Sequence, residues 1–279
     1  MIQGEGIMAK VSIIMGIYNC ANTLNEAIDS ILRQTFTDWE LILCDDGSED
    51  NTYIIAEKYQ KEYPEKIILL KNIKNRGLNY TLNKCLKNAN GEYVARMDGD
   101  DISLPQRFEK EVNFLDSNPK YAIVSTPMIF FDEQGDWGRS YSIEKPKKKD
   151  FIKHSPVFCH APCMIRREAY LAVGGYTVDK RMLRFEDVNL WYKLYAQNYV
   201  GYNLSEPLYK MRDDMNATRR RGLKSRMNGV YVTYVGFKLF HFPWYMYIYV
   251  VEDFIKHFIK GIMPEKLYMM FHKKAERQW

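Results

Sequence analysis

The chain contains no apolar run approaching the roughly 20 residues that cross a bilayer, which argues against a membrane-spanning protein. It also lacks a G-x-x-x-x-G-K-[ST] segment, which argues against a P-loop phosphotransferase. Cysteine is scarce and odd in number, with 5 in 279 residues. Cys20, Cys44, Cys85, Cys159 and Cys163 are scattered through apolar or mixed surroundings. A disulfide scaffold is therefore not expected, and reduced cytosolic thiols are. Cys159 and Cys163 lie near His154 and His160, but no second ligand pair follows, so zinc is not expected. No internal repeat occurs. The first residues lack a basic stretch followed by an apolar run, so no secretory signal is expected. Gly4-Glu-Gly6-Ile-Met-Ala9 fits a dinucleotide fingerprint by letters alone, because it precedes the first strand instead of following one. Residues 1–8 are expected to be a disordered leader.

The net charge of +5 is unevenly spread. Residues 216–279 hold 12 Lys/Arg against 4 Asp/Glu, while the remainder holds 28 against 31. The same tail carries 14 aromatic residues. Basic, aromatic segments suit an anionic membrane surface or nucleic acid. The segment reads as a helical extension separate from the domain before it.

Residues 9–125 alternate strand and helix patterns. Lys10 to Ile17, Trp39 to Cys44, Ile67 to Leu70, Tyr93 to Met97 and Tyr121 to Ser125 are short apolar runs of the kind buried on both faces. Between them lie amphipathic stretches, with Asn22 as the expected cap of the first helix and Pro64 ending the second. Gly91 is expected to close the third. The implied fold is α/β, a mostly parallel sheet flanked by helices. Regularity fails after about residue 126, where a hairpin-like stretch and the linker Lys145-Pro-Lys-Lys-Lys149 lead to a turn-rich segment. Glu186 and Asp187 then open an amphipathic helix.

In parallel sheets ligands bind at the carboxyl ends of strands. Three polar clusters fall there: Tyr18-Asn19, Asp45-Asp46 and Asp98-Gly99-Asp100-Asp101. The last puts three carboxylates and a glycine into four positions, a poor recipe for a buried strand. Oxygen-rich clusters suit Mg²⁺ or Mn²⁺, and Gly99 permits a sharp turn that brings Asp98 and Asp100 together. The alternative is an acidic turn capping the next helix, with Asp101 or Ser103 as cap and Pro105 at the first helical position. Both readings stay open on this motif alone.

Taken in order, Val11-Ser-Ile-Ile-Met-Gly-Ile-Tyr-Asn19, Asp45-Asp46-Gly-Ser48, Asp98-Gly-Asp-Asp101 and Glu186-Asp187 resemble the family 2 glycosyltransferases of the GT-A fold. Ala27-Ile-Asp-Ser-Ile-Leu-Arg-Gln-Thr-Phe36 and Gly174-Gly-Tyr176 add to the likeness, which spans roughly residues 9–200. The resemblance implies a GT-A catalytic domain over residues 9–215, with a nucleotide-binding half at 9–125 and an acceptor-binding half at 126–215. It implies a nucleotide-sugar donor, usually a UDP-sugar, with Mn²⁺ or Mg²⁺ and inversion at the anomeric carbon.

By position, the resemblance gives Tyr18 the uracil ring and Asp46 its imide edge. It gives Asp100 the metal and diphosphate, with Asp98 supporting metal and nucleotide. Asp101 is assigned to the sugar hydroxyls, and Arg76 to a donor contact. Asp187 becomes the base, expected in its ionised form at a helix N-terminus, with Glu186 and Trp191 on the acceptor side. His160 is read as structural. Gly16 departs from the Pro or Thr of many relatives. The absent Q-x-x-R-W motif implies one sugar per encounter.

The acceptor implied is a glycan or lipid-linked glycan in polysaccharide synthesis, such as capsule or O-antigen. The protein is then cytoplasmic, with residues 216–279 either on the inner membrane face or packed on the domain or a homodimer partner. Nucleic acid is the weaker reading of the tail. A sugar nucleotidyltransferase is the rival enzyme, though its Gly-rich basic N-terminal loop is missing. A silent binding module is the rival of another class.

Overall fold

The computed structural model describes residues 9–153, 156–213 and 223–263. A seven-stranded sheet runs through the domain. Its elements are β1 (Val11–Ile17), β2 (Trp39–Asp45), β3 (Ile67–Lys71), β4 (Tyr93–Arg96), β6 (Ile123–Ser125), β9 (Met164–Arg166) and β10 (Gly201–Asn203), in the order β10-β6-β9-β4-β1-β2-β3. β1 pairs in parallel with β2 and β4, and β2 with β3. β6 and β10 are also parallel to each other. The mostly parallel sheet expected from the sequence is therefore present. The departure is β9, which enters antiparallel between β4 and β6 from the stretch that reads as turns. With three residues, it is too short to carry a periodicity.

A second sheet, β5 (Ile102–Ser103), β11 (Tyr209–Arg212), β7 (Met128–Asp132) and β8 (Gly135–Arg139), stands beside the first. It contains the expected hairpin, β7 with β8.

Alternation along β1 builds two cores. Ile13 and Met15 pack on one face with Leu24, Ile28 and Phe108. Ile14 packs on the other with Leu82, Tyr170 and Trp191. The first face is covered by α1 (Leu24–Leu32), α2 (Thr52–Glu62) and α4 (Arg107–Ser117). The second is covered by α3 (Leu78–Leu86), α5 (Arg167–Ala172) and α6 (Glu186–Ala196).

Several expected boundaries move. Thr23 and not Asn22 precedes α1, and its hydroxyl donates to the Gly99 carbonyl at 2.9 Å instead of capping the helix. α3 ends at Leu86 without Gly91, which lies against the backbone of Ser12. α4 begins at Arg107 after Gln106, so neither Asp101 nor Ser103 caps it and Pro105 stands outside.

Residues 1–8 and 214–222 lie outside the described residues, as does the end of the tail. The rest of the tail forms α7 (Leu223–Leu239) and α8 (Ile248–Ile262), joined through a 3-10 turn at Trp244–Tyr247. The expectation of a separate extension fails for α7. Its Val232 and Phe237, with Phe240 just beyond it, are buried in the same core as Trp191 and Tyr192 of α6. A Cβ on Gly236 would meet the Tyr192 ring at 2.4 Å, so the helices touch backbone to ring.

A buried ion pair fastens α4 to the end of β4. Arg107 and Glu111 are both fully buried, with Nε 3.2 Å from Oε1. The guanidinium also donates to the carbonyls of Arg96 at 3.0 Å and Cys163 at 3.4 Å. Burial pushes the Glu111 carboxyl up to about 7. Arg107→Ala leaves the buried Glu111 carboxyl without its charged partner and removes the guanidinium's bonds to the carbonyls of Arg96, Ala161 and Cys163, which costs on the order of 3–5 kcal/mol. Urea unfolding at pH 8 is expected to show a loss of that size.

Candidate functional site

The site lies where the chain changes direction across the sheet. β1 is flanked by β2 on one side and β4 on the other, so crossovers leave it both ways and a crevice opens at the strand ends. Tyr18, Asp46 and Asp98 follow β1, β2 and β4 and converge there. A cavity of about 410 Å³ is lined by Tyr18, Asp46, Asp98, Asp100, Leu183 and Glu186, among others. A second, of about 490 Å³, includes Asp98 again with Phe130, Tyr141, His160 and Asp187 in its walls. Asp98 is common to both. A depression of about 510 Å³ at the opposite end of the strands, around Lys10 and Glu92, is a different case. Its charges already satisfy each other, with Lys10 at 2.7 Å from Glu92 and 3.1 Å from Asp116.

Local geometry holds the first cavity open. Asn19 adopts φ 48°, unusual for a residue with a side chain. Its amide oxygen accepts from the Glu49 N–H at 2.9 Å, and its own N–H donates to Ser48 Oγ at 3.0 Å. Tyr18 is left 44% exposed, its ring free to meet a ligand. Gly47 has φ 75°, and a Cβ there would lie 2.9 Å from the Lys74 backbone, so the loops after β2 and β3 can approach only at a glycine.

Asp46 ties these loops together. It accepts from Asn72 Nδ2, the Arg76 N–H and the Gly77 N–H, each at 2.8 Å. A carboxylate has about four acceptor positions, so these three bonds leave one, on a residue that lines the cavity. Arg76 enters this network by its backbone. Its guanidinium lies 4.4 Å over the Tyr80 ring.

The acidic turn is compact. One carboxylate oxygen from each of Asp98, Asp100 and Asp101 lies within 4.8 Å of the others. Gly99 is required, because a Cβ would sit 2.9 Å from Cys20 Sγ. Asp98 forms a short ion pair with buried Arg96. Asp101 is 2% exposed and accepts from the Arg212 N–H at 2.8 Å. Asp101, assigned to the sugar hydroxyls by the resemblance, thus packs toward β11 within the acidic cluster. Burial, then the charges of Asp100 and Asp98, hold its carboxyl well above the usual range. Three hard oxygen donors repelling one another at this spacing fit a divalent cation, which would relieve the repulsion.

Glu186 and Asp187 begin α6 and point to different places. Glu186 lines the first cavity, beside Leu183 and Arg184. It is buried, its Oε2 has no hydrogen-bond partner among the described residues, and burial raises its proton affinity. Asp187 lines the second cavity. The expectation of a readily ionised helix-terminal carboxylate is not met. Burial and the Glu186 charge outweigh the backbone N–H groups of the first turn, and the carboxyl is pushed up to about 7.

Trp191 exposes no surface at all, and its ring meets those of Phe158 at 5.3 Å and His160 at 6.0 Å. It therefore supports the second cavity from behind and touches nothing within it. His160 Nε2 lies 2.7 Å from Tyr176 Oη, which lies 2.9 Å from Tyr170 Oη. Burial, then Arg96, keeps the imidazole neutral.

Two arginines were missed by the sequence reading. Arg96 lines the second cavity, pairs with Asp98 and leaves Nε without a partner among the described residues. Arg212 donates to the Asp100 carbonyl at 3.1 Å and to Glu26 at 2.9 Å, backing the acidic turn. A lone arginine closing an apolar strand was the available signal for Arg96. Nothing local marked Arg212, more than 100 residues along the chain.

The chain is similar to known proteins in sequence and in fold. The model of the family described as Glycosyl transferase family 2 matches residues 12–174. EpsE of Bacillus subtilis (strain 168) is 42% identical over 265 residues, covering 95% of this chain and 94% of that one. The amylovoran biosynthesis glycosyltransferase AmsE of Erwinia amylovora is 30% identical over 217 residues, 76% of this chain and 79% of that one. Among solved structures, the mannosyltransferase PcManGT of Pyrobaculum calidifontis, in complex with GDP-Man and Mn²⁺, superposes with a TM-score of 0.64 at 17% identity, covering 96% of this chain and 80% of that one. S. aureus TarS 1–349 in complex with UDP gives 0.63 at 18%, covering 96% and 88%. With a strand-end site and a turn of clustered aspartates, and with sequence likeness extending over nearly its whole length, the chain belongs to the family 2 glycosyltransferases.

Proposed function

We propose that this glycosyltransferase moves one sugar from a UDP-sugar to a hydroxyl of a glycan or lipid-linked glycan acceptor, with inversion, in polysaccharide synthesis. The observation that carries the reading is the pair of cavities that meet at Asp98, one holding Tyr18, Asp46 and Asp100 and the other holding Asp187. A donor occupies the first and an acceptor the second. Tyr18 offers an aromatic face to the base, and the free acceptor position of Asp46 takes the uracil imide N–H. Glu186 Oε2, buried without a partner, accepts from a donor sugar hydroxyl. The UDP bound in TarS and the amylovoran pathway in the name of AmsE favour this donor class and this product class.

Asp98, Asp100 and Asp101 would hold Mn²⁺ or Mg²⁺, and the Mn²⁺ in the PcManGT complex favours such an ion. When bound, the ion supplies positive charge to the departing diphosphate. Asp187 accepts the proton of the acceptor hydroxyl. That oxygen forms its bond to the anomeric carbon as the bond to the diphosphate breaks on the opposite face, and the electron pair leaves with the diphosphate. A single carboxylate then suffices, as for the base of an inverting glycosidase. Five free thiols fit a reducing, cytoplasmic compartment.

The test is a panel of UDP-, GDP- and dTDP-sugars with and without Mn²⁺, read by thermal stabilisation. UDP-sugars are expected to raise the melting temperature, and only with the metal. Equal shifts for all donors, or shifts independent of Mn²⁺, would contradict the reading.

A further inference from the structure

The helix α8 wears its apolar side outward. Ile248, Val251, Ile255, Phe258, Ile259 and Ile262 recur at helical spacing, and each is between 43% and 64% exposed. Its inner side packs Tyr249 and Val250 against the core and adds polar contacts: Asp253 accepts from Thr233 Oγ1 at 3.0 Å, and His257 packs against the Phe185 ring with centroids 5.7 Å apart. The stripe runs about 21 Å at 1.5 Å per residue. Trp244 and Tyr245, 85% and 63% exposed, stand at its start. A continuous apolar face of this extent on a chain surface marks an interaction site.

We infer that this face seats α8 in the interface of an anionic lipid bilayer. Charge complementarity selects that partner. Lys256 is offset by Glu252 at 2.7 Å, so the helix itself is close to neutral. The surplus lies in its sequence surroundings: residues 216–279 carry 12 basic against 4 acidic residues, while the rest of the chain is slightly acidic. Aliphatic residues in one stripe, Trp and Tyr at its end, and flanking Lys/Arg are the composition of an interfacial helix. No described helix is long and apolar enough to cross a membrane, in keeping with a helix that lies on it.

The seat is joined to the catalytic site. On α7, Asn228 Nδ2 donates to the carbonyls of Lys180 and Leu183 at 3.3 and 3.2 Å. Arg181 lies 4.3 Å over the Tyr231 ring, and a Cβ on Gly229 would meet the Phe185 ring at 2.6 Å. Leu183, Arg184 and Glu186 wall the first cavity. One helix layer, about 8–10 Å, therefore separates the bilayer from the loop beside the donor.

The full chain and its Ile255→Glu/Ile259→Glu variant are to be spun with phosphatidylcholine vesicles, with and without phosphatidylglycerol. No donor or acceptor is present, so failure here leaves the transferase reading untouched. The wild type is expected to pellet with the anionic vesicles alone, and less at high salt. The variant is expected to bind at least about tenfold more weakly, because two apolar side chains are lost from the buried face, with an unchanged melting temperature. A wild type that stays in the supernatant overturns the inference. So does a dimer in light scattering that the variant dissociates, which would give the face to a second copy. A variant that melts lower yet pellets equally would show that the chain's own residues cover it, and is equally fatal.

Discussion

Asp187→Asn is expected to lower turnover by roughly 10²–10⁴ while leaving the affinity for UDP-sugar unchanged. The asparagine keeps the size and the hydrogen-bonding capacity of the side chain but has no proton affinity to offer the acceptor hydroxyl. Donor binding survives because Asp187 lines the second cavity and Tyr18, Asp46 and Asp100 the first. The elevated proton affinity of Asp187 gives a further signature. Burial, then the Glu186 charge, raises its carboxyl to about 7, so the base is protonated and idle below that pH. Turnover of the wild type should fall about tenfold per pH unit on the acidic side of 7 and level off above it. Isothermal titration with UDP-sugar, beside a pH series of steady-state rates, separates the two effects. Weakened donor binding in the variant, or a rate flat from pH 5 to 8, would remove Asp187 from the role.

Asp100→Ala is expected to abolish metal-dependent donor binding and reduce turnover by about 10²–10³. The ion's help to a departing diphosphate is worth several kcal/mol, and each 1.36 kcal/mol is about tenfold in rate. Asp98 also holds Arg96, and Asp101 also holds the β11 backbone, so their loss would disturb the fold around the turn. Calorimetry with Mn²⁺ and UDP, together and separately, measures the effect. Retained Mn²⁺-dependent affinity in Asp100→Ala would contradict the assignment.

Much of this site could be read from the sequence because parallel strands buried on both faces leave a simple mark. Each is a short apolar run, and the first polar residues after it stand at the ligand edge. Tyr18, Asp46, Asp98 and Asp100 were found that way, and they line one cavity. What the sequence hid depends on residues far along the chain. Asp101 and Asp100 are neighbours in the same acidic run, and the bonds of Asp101 to Tyr209 and Arg212, both on β11, hold it inward. Asp187 looked like a solvated first-turn carboxylate until its burial was known, and the same holds for the separation of Glu186 from Asp187. Trp191 has the spacing of a core residue as well as that of a binding aromatic, and the core claimed it. The tail divides for a related reason. α7 buries Val232 and Phe237 in the core, whereas α8 has its stripe turned out.

The most direct measurement of the central claim needs no acceptor. Wild-type protein with Mn²⁺ and a UDP-α-sugar, followed by proton NMR, should slowly release UDP as water takes the acceptor's place. The β-anomer of the free sugar should appear first, and both the metal chelator and Asp187→Asn should stop the reaction. Release of the α-anomer first would contradict a single displacement by the oxygen that Asp187 deprotonates. If no nucleotide sugar yields its diphosphate in a metal-dependent way, the reading of the acidic turn as a diphosphate clamp is wrong.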